Sequence, residues 1–265
     1  MAASSVISST SNFSEPVTDS LKGRVVLVTG GSRGIGKAIA LELARNGAAV
    51  TFSYNSNLAK AEEVAAEIRT MDVECLIAQG DVARKEDARR VVSSTLEQFK
   101  RIDILVNNAG ITRDHTLRKM TDEEWESAIS VNLHGTYYCT TAALPAMTEQ
   151  KYGRIINIAS IVGQTGAFGQ ANYAASKGGV IAFTKCIALE YARDNITANT
   201  VAPGYTGTEM VEAMPADVLE KICAKIPLRR LAKPEEVAKA VLFLARDGDY
   251  ITGTTINVNG GLLMF

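Results

Sequence analysis

The stretch "VVLVTGGSRGIGKAIALELA" constrains this chain more than any other. An unbroken apolar run leads straight into a glycine-rich turn and then into a helical pattern. A run that is apolar at every residue has no face for water. It therefore reads as a strand covered on both sides, as in parallel sheets. Gly30, Gly34 and Gly36 follow GxxxGxG spacing in the turn. Glycines there permit a tight reversal, a close backbone approach to a pyrophosphate, and close helix–strand packing. The helix that follows points free N–H groups and a partial positive charge at the same place. A glycine turn that binds nothing is the plain alternative. The strand before it and the helix after it favour a dinucleotide site.

The pattern repeats from Arg24 onward. Strand-like runs stand at 24–30, 49–54, 73–81, 102–110, 154–160, 196–203 and 254–261. Helical segments lie between them. Residues 86–99 place Ala88, Val91, Val92, Leu96 and Phe99 on one stripe. Thr121 and Glu124 form a capping-box pattern, and Pro234 suits a first helical position. Repeated right-handed β-α-β units give a doubly wound, seven-stranded parallel sheet in a single domain over 21–265. Residues 1–20 carry seven Ser, two Thr and no Lys or Arg, and read as a flexible leader.

Bulk properties exclude several classes. The net charge of −1 provides no basic field, so neither nucleic acid nor anionic membrane is an expected partner. No apolar run approaches the roughly 18 residues that span a bilayer. The four cysteines lack CxxC spacing, and two histidines offer no metal-ligand set, so no metal is expected. A cytoplasmic, reducing location fits.

Cofactor choice is read at the end of the second strand. An NAD site usually has Asp or Glu there, and an NADP site has a nearby Arg. Here Ser53, Tyr54, Asn55 and Ser56 bring no acid, and Arg33 lies in the glycine loop. NADPH is the expected cofactor, with NADH as the other possibility. The alternative for Arg33 is an ordinary solvated cation.

Tyr173 and Lys177 sit one helical turn apart in "GQANYAASKGG", amid small residues that leave room for a ligand. A free phenol has a pKa near 10, too high for a good neutral-pH acid–base group. A neighbouring cation is expected to lower it, letting Tyr173 protonate a developing alkoxide. Ser160 ends a strand 13 residues earlier, "NNAG" (107–110) ends another, Asn132 follows in "SVNLHG", and "PGYTGT" (203–208) ends the sixth.

Taken in order, these motifs resemble the short-chain dehydrogenase/reductase family over about residues 22–263, which implies a Rossmann-type fold. The resemblance implies that Tyr173 is the general acid and that Lys177 lowers its pKa and binds the nicotinamide ribose. It implies that Ser160 bonds the substrate carbonyl, and that Asn132 holds a water joining Lys177 to solvent. Gly30, Ser32, Arg33, Gly34, Ile35 and Gly36 would line the pyrophosphate and adenosine ribose. Asp81 and Val82 would meet the adenine. Asn108, Ala109 and Gly110 would follow the cofactor with their backbones, and Pro203, Gly204, Thr206 and Thr208 its nicotinamide end. Thr206 stands where the family often has Ile or Val.

Two segments, "NAGITRDHTLRKMT" and "INVNGGLLM", resemble the branch of the family that reduces 3-oxoacyl thioesters to (R)-3-hydroxyacyl thioesters. "GAFGQANY" and "PGY" look more like reductases of acetoacetyl-CoA, as in polyhydroxybutyrate synthesis, than those acting on acyl-carrier-protein thioesters in fatty acid synthesis. Asp114, Phe168, Gln170 and Tyr205 are the expected substrate residues, with Phe168 and Tyr205 clamping a short acyl chain. Residues 207–226 read as a lid, hinged at Gly207 and continuing as one amphipathic helix with Met210, Val211, Met214, Leu219 and Ile222. Family resemblance implies a homotetramer. A dinucleotide-binding sensor without catalysis is the competing class of function.

Overall fold

In this computed structural model the described residues are 20–212 and 214–264, so the leader lies outside them except for Ser20. Strands and helices alternate along the chain: β1 (Val25–Val28), α1 (Gly34–Arg45), β2 (Ala49–Tyr54), α2 (Leu58–Arg69), β3 (Cys75–Gln79), α3 (Lys85–Phe99) and β4 (Ile104–Asn107). The second half runs α4 (Asp122–Ile129), α5 (Gly135–Gln150), β5 (Gly153–Ile158), α6 (Val162–Thr165), α7 (Ala171–Tyr191) and β6 (Ile196–Pro203). It ends with α8 (Glu209–Glu212), α9 (Ala216–Lys225), α10 (Pro234–Arg246) and β7 (Thr255–Val258). All seven strands are parallel, in the order β3-β2-β1-β4-β5-β6-β7. The winding reverses between β1 and β4, the place where open α/β sheets bind ligands.

Successive strand residues feed opposite layers. Val26 and Val28 pack with α1, α2 and α10, whereas Leu27 packs with α3, α5 and α7. Ile104 and Val106 likewise face the first layer and Leu105 the second. Burial on both faces explains why these strands are apolar throughout. The α3 stripe is buried at Ala88, Val91 and Val92, with Leu96 partly covered. The capping box at Thr121 and Glu124 is formed in both directions, at 3.2 and 3.0 Å.

Two departures from helical regularity position the site. Ser130–His134, between α4 and α5, is a π-helical turn that carries Asn132. Such turns widen the helix and re-aim side chains, often at functional sites. Gly135 follows because a Cβ there would fall 2.8 Å from Val82 Cγ2. The lower sheet edge is held by Asp103, whose buried carboxylate accepts from Val25 N at 2.9 Å, Arg24 Nη1 at 3.0 Å and Arg101 Nη2 at 2.6 Å.

Candidate active site

The carboxyl ends of β1 and β4 are stapled together. Thr29 Oγ1 accepts from the backbone N–H groups of Asn108 and Ala109, each at 3.0 Å. Asn108 Nδ2 donates back to the Thr29 and Gly30 carbonyls at 2.9 and 3.1 Å. Gly30 and Gly34 have φ of +67° and +54°, where a side chain is strained. At Gly36 a Cβ would lie 2.2 Å from the Gly30 carbonyl oxygen. No side chain caps α1 and its first turn holds no acid, which leaves its N-terminal N–H groups for an anion. The residues present thus fit a dinucleotide: a cradle that only glycine can form, at the dipole end of a twelve-residue helix. Thr208 flanks this loop, its Cγ2 3.4 Å from the place a Gly34 Cβ would take.

The residues expected to do acid–base chemistry meet across the end of β5 and α7. Ser160, two residues beyond β5, and Tyr173, in the first turn of α7, stand close enough that the Ser160 hydroxyl acts on the phenol. Lys177 is buried and donates from Nζ to the Ile158 carbonyl at 2.7 Å. Its Nζ lies 5.8 Å from the Tyr173 ring centre. A Cβ on Gly110 would come within 3.2 Å of Asn132 Oδ1 and 3.3 Å of Lys177 Nζ, so these groups gather at one point. Asn132 is fully buried; its Oδ1 accepts from Ile111 N at 2.8 Å, and its Nδ2 donates to the Ile111 carbonyl and to Ser176 Oγ at 3.0 Å each. α6 packs onto α7 through Gly163, where a Cβ would collide with the Lys177 backbone at 2.6 Å.

The electrostatics differ from the sequence expectation. Burial holds the Tyr173 phenol above its ordinary value; the Ser160 hydrogen bond pulls it down, and the Asp114 carboxylate adds a further rise. A lowered phenol is therefore not what this structure has. Burial pushes Lys177 down to about 8, because the ammonium loses its water.

Other expected residues fall into place unevenly. Asp114 Oδ2 accepts from Gln170 Nε2 at 2.7 Å, so these two form a rim together. Phe168 is 94 % exposed and Tyr205 42 %, so the expected clamp is not formed. Tyr205 instead lines a cavity of about 200 Å³ with Ile226, Leu228 and Arg230. Thr206 is buried, pairs with Ala232 and donates to the Gly204 carbonyl at 3.3 Å, so it braces the turn from inside. Pro203 and Gly204 tie the strand ends together: the Pro203 carbonyl accepts from Ile161 N, and Gly204 N donates to Val258. Asp81 Oδ1 accepts from Ala83 N at 3.0 Å, and the Val82 side chain belongs to the core beneath α5.

The lid is not one helix. Pro215 precedes α9 and separates it from α8, since proline lacks an N–H and disfavours helix in the residue before it. No residue of α9 is buried, and the Met210 side chain lies outside the described residues. Ser53, expected beside a 2′-phosphate, is buried and accepts from Gly30 N at 3.1 Å. Asn55 and Ser56 are the exposed residues of that corner, and Arg33 is exposed in the glycine loop. Sequence reasoning missed Lys60 in α2, whose Nζ meets both Glu209 oxygens at 2.8 Å and ties the lid to the cofactor edge. It also missed Asn172 and Ser176. The only signal was their place one and three residues from Tyr173.

Comparison with known proteins agrees with this geometry. The family described as enoyl-(acyl carrier protein) reductase matches residues 30–263. The chain is 49 % identical over 247 residues to a 3-oxoacyl-(acyl-carrier-protein) reductase of Synechocystis sp., covering 92 % of this chain and 99 % of that one. It is 45 % identical over 239 residues to the proteins of that name from Staphylococcus epidermidis and Staphylococcus aureus, covering 90 % of this chain and 98 % and 97 % of theirs.

Proposed function

Because the chain belongs to the short-chain dehydrogenase/reductase family, we propose that it reduces the 3-oxo group of an acyl thioester carried by acyl-carrier protein, with NADPH, to the (R)-3-hydroxyacyl thioester. The observation that carries this reading is the meeting of Asn132 and Lys177 at Gly110, beside Tyr173 and the Ser160 hydroxyl that acts on its phenol, at the carboxyl edge of β5. Two neighbouring hydroxyls can both turn to one ketone oxygen. Ser160 holds that oxygen by its O–H. Reduced nicotinamide, held by the glycine loop, would supply the hydride, which no side chain can. Tyr173, kept protonated by burial, then transfers its proton to the alkoxide, a far stronger base than a phenolate. The Lys177 ammonium stabilises the resulting phenolate, and Asn132 fixes the loop at Ile111 beside it.

The choice of carrier is supported by relatives at 45–49 % identity that are named 3-oxoacyl-(acyl-carrier-protein) reductases. Acetoacetyl-CoA is the second reading. It is favoured by Lys151, a candidate cation for an acidic carrier, being paired with Asp194 at 2.6 Å. NADPH rather than NADH follows from the exposed Arg33 and the absence of an acid at 53–56. A homotetramer is in keeping with exposed Trp125, Tyr137, Leu189 and Met264.

Steady-state rates with acetoacetyl-acyl-carrier protein, acetoacetyl-CoA and crotonyl-acyl-carrier protein, each with NADPH and NADH, test the reading. The carrier-bound 3-oxo substrate with NADPH is expected to give the highest kcat/KM. A higher value for the CoA ester selects the second reading, and one for the crotonyl ester replaces carbonyl by double-bond reduction. NADPH binding without turnover on any substrate identifies a sensor.

A further inference from the structure

We propose that Asn172, together with Ser176, is a positioning residue that fixes Tyr173 to the substrate-side loop; this rests on the reductase reading above. Tyr173 is the third residue of α7, so its N–H is one of the donors a helix start leaves unpaired. The N-cap residue, Gln170, supplies no side-chain cap. Instead Asn172 Oδ1 accepts from Tyr173 N at 2.7 Å. At the other side of the same residue, Ser176 Oγ donates to the Tyr173 carbonyl at 2.8 Å. Both peptide groups flanking the phenol's Cα are thus held by side chains.

Both holds lead to one loop. Asn172 Nδ2 donates to the Arg113 carbonyl at 2.8 Å and the Glu124 carbonyl at 3.1 Å. Ser176 Oγ accepts from Asn132 Nδ2, and Asn132 grips both backbone groups of Ile111. A closed ring of hydrogen bonds therefore runs from residue 111 through Asn132, Ser176, Tyr173 and Asn172 to residue 113. Asn172, Ser176 and Asn132 are all fully buried, where an unmade hydrogen bond is costly. Asp114, the next residue, closes the rim with Gln170. The loop that faces substrate and the residue that protonates it are consequently one rigid unit. A plain cap by Ser or Asp at 170 would satisfy the helix start without making that link; the amide of Asn172, donor and acceptor at once, makes it.

A double-mutant cycle separates positioning from general support. Asn172→Ala and Ser176→Ala are made in the wild type and in Tyr173→Phe, with kcat, KM, NADPH affinity by fluorescence, and Tm measured for each. Asn172→Ala is expected to lower kcat about 10–100-fold, the scale of a small misplacement of a reacting group, with KM and NADPH affinity within about twofold. In the Tyr173→Phe background the same change is expected to cost no more than about twofold, since the group it positions is gone. Ser176→Ala should show the same pattern at about 3–10-fold, and it carries the test alone if Asn172→Ala does not fold. A loss repeated in full in the Tyr173→Phe background, or one expressed in KM or NADPH affinity, overturns the assignment while leaving the reductase reading intact. A wild type that reduces no 3-oxoacyl thioester overturns both.

Discussion

Lys177 gives its hydrogen bond to the Ile158 carbonyl, 2.7 Å away, and stands 5.8 Å from the centre of the Tyr173 ring. Burial holds the phenol in its proton-bearing form, and the expected phenolate would form with this cation nearby. Tyr173→Phe keeps the ring and removes the transferable proton. We expect kcat to fall about 10²–10⁴-fold, the usual worth of a general acid, with NADPH affinity nearly unchanged. Near-normal kcat in this variant would refute the mechanism.

Lys177→Met exposes the stability cost of that ammonium. Burial depresses the folded value from 10.5 to about 8. The stability tied to this lowered value is present above 10.5 and is lost as pH falls through about 8. At pH 7 the wild type therefore carries a charge that the interior disfavours. The Met variant should melt a few degrees higher at pH 7, an advantage that shrinks between pH 8 and 10.5, while catalysis is lost. Equal melting differences at pH 7 and pH 10.5 would contradict the burial argument.

Arg33 and Ser53 should separate recognition of the 2′-phosphate from support of the loop. Arg33→Ala is expected to weaken NADPH about tenfold and NADH by less than about twofold. Ser53→Ala frees the Gly30 N–H and should weaken both cofactors by the same factor. Titration of both variants with both cofactors decides this, and equal losses in Arg33→Ala would leave the preference without a source.

The segment expected to act as a lid is joined to α2 by an exposed pair, Lys60–Glu209. Such pairs are weak and screened by salt. Glu209→Gln should therefore raise the NADPH dissociation rate only several-fold, and high salt should speed wild-type release to the same level. Stopped-flow fluorescence reads both, and a salt-independent wild-type rate would exclude an ionic tether.

Asp103 lies at the sheet edge opposite the site and pairs with two arginines. Asp103→Asn leaves their charges under-compensated and is expected to cost about 3–5 kcal/mol, or a Tm drop on the order of 10 °C. The kcat of the folded fraction at 20 °C should stay unchanged, and a changed kcat would mean the two edges are coupled.

The fold was legible because burial on both faces writes itself into every residue of a parallel strand. The runs at 49–54 and 196–203 coincide with β2 and β6 to the residue. Ser160, Tyr173 and Lys177 were legible because a strand end and a helical turn fix their places relative to local chain. What escaped notice depends on partners far away in sequence. Asn172 is informative only through Glu124 and Arg113, 48 and 59 residues back. In sequence Ser53 is only part of a corner without an acid; its burial against the Gly30 N–H depends on the fold. Lid periodicity suggested one helix, and Pro215 overrode it. The phenol's direction of shift was misjudged because a cation one turn away is visible in sequence, whereas burial is not.

The placement of β1 between β2 and β4 has a temporal consequence. Val25 N finds Asp103 across 78 residues, and Val26 to Val28 pair with Ile104 to Val106. During synthesis the central strand can acquire β2 early, yet its other edge stays open until Asn107 has left the ribosome. Pairings of such long sequence separation form slowly, and an unpaired strand edge can join another chain. The nascent chain is therefore most prone to aggregate while α2 to α3 are being made, well before any active-site residue of β5 or α7 exists.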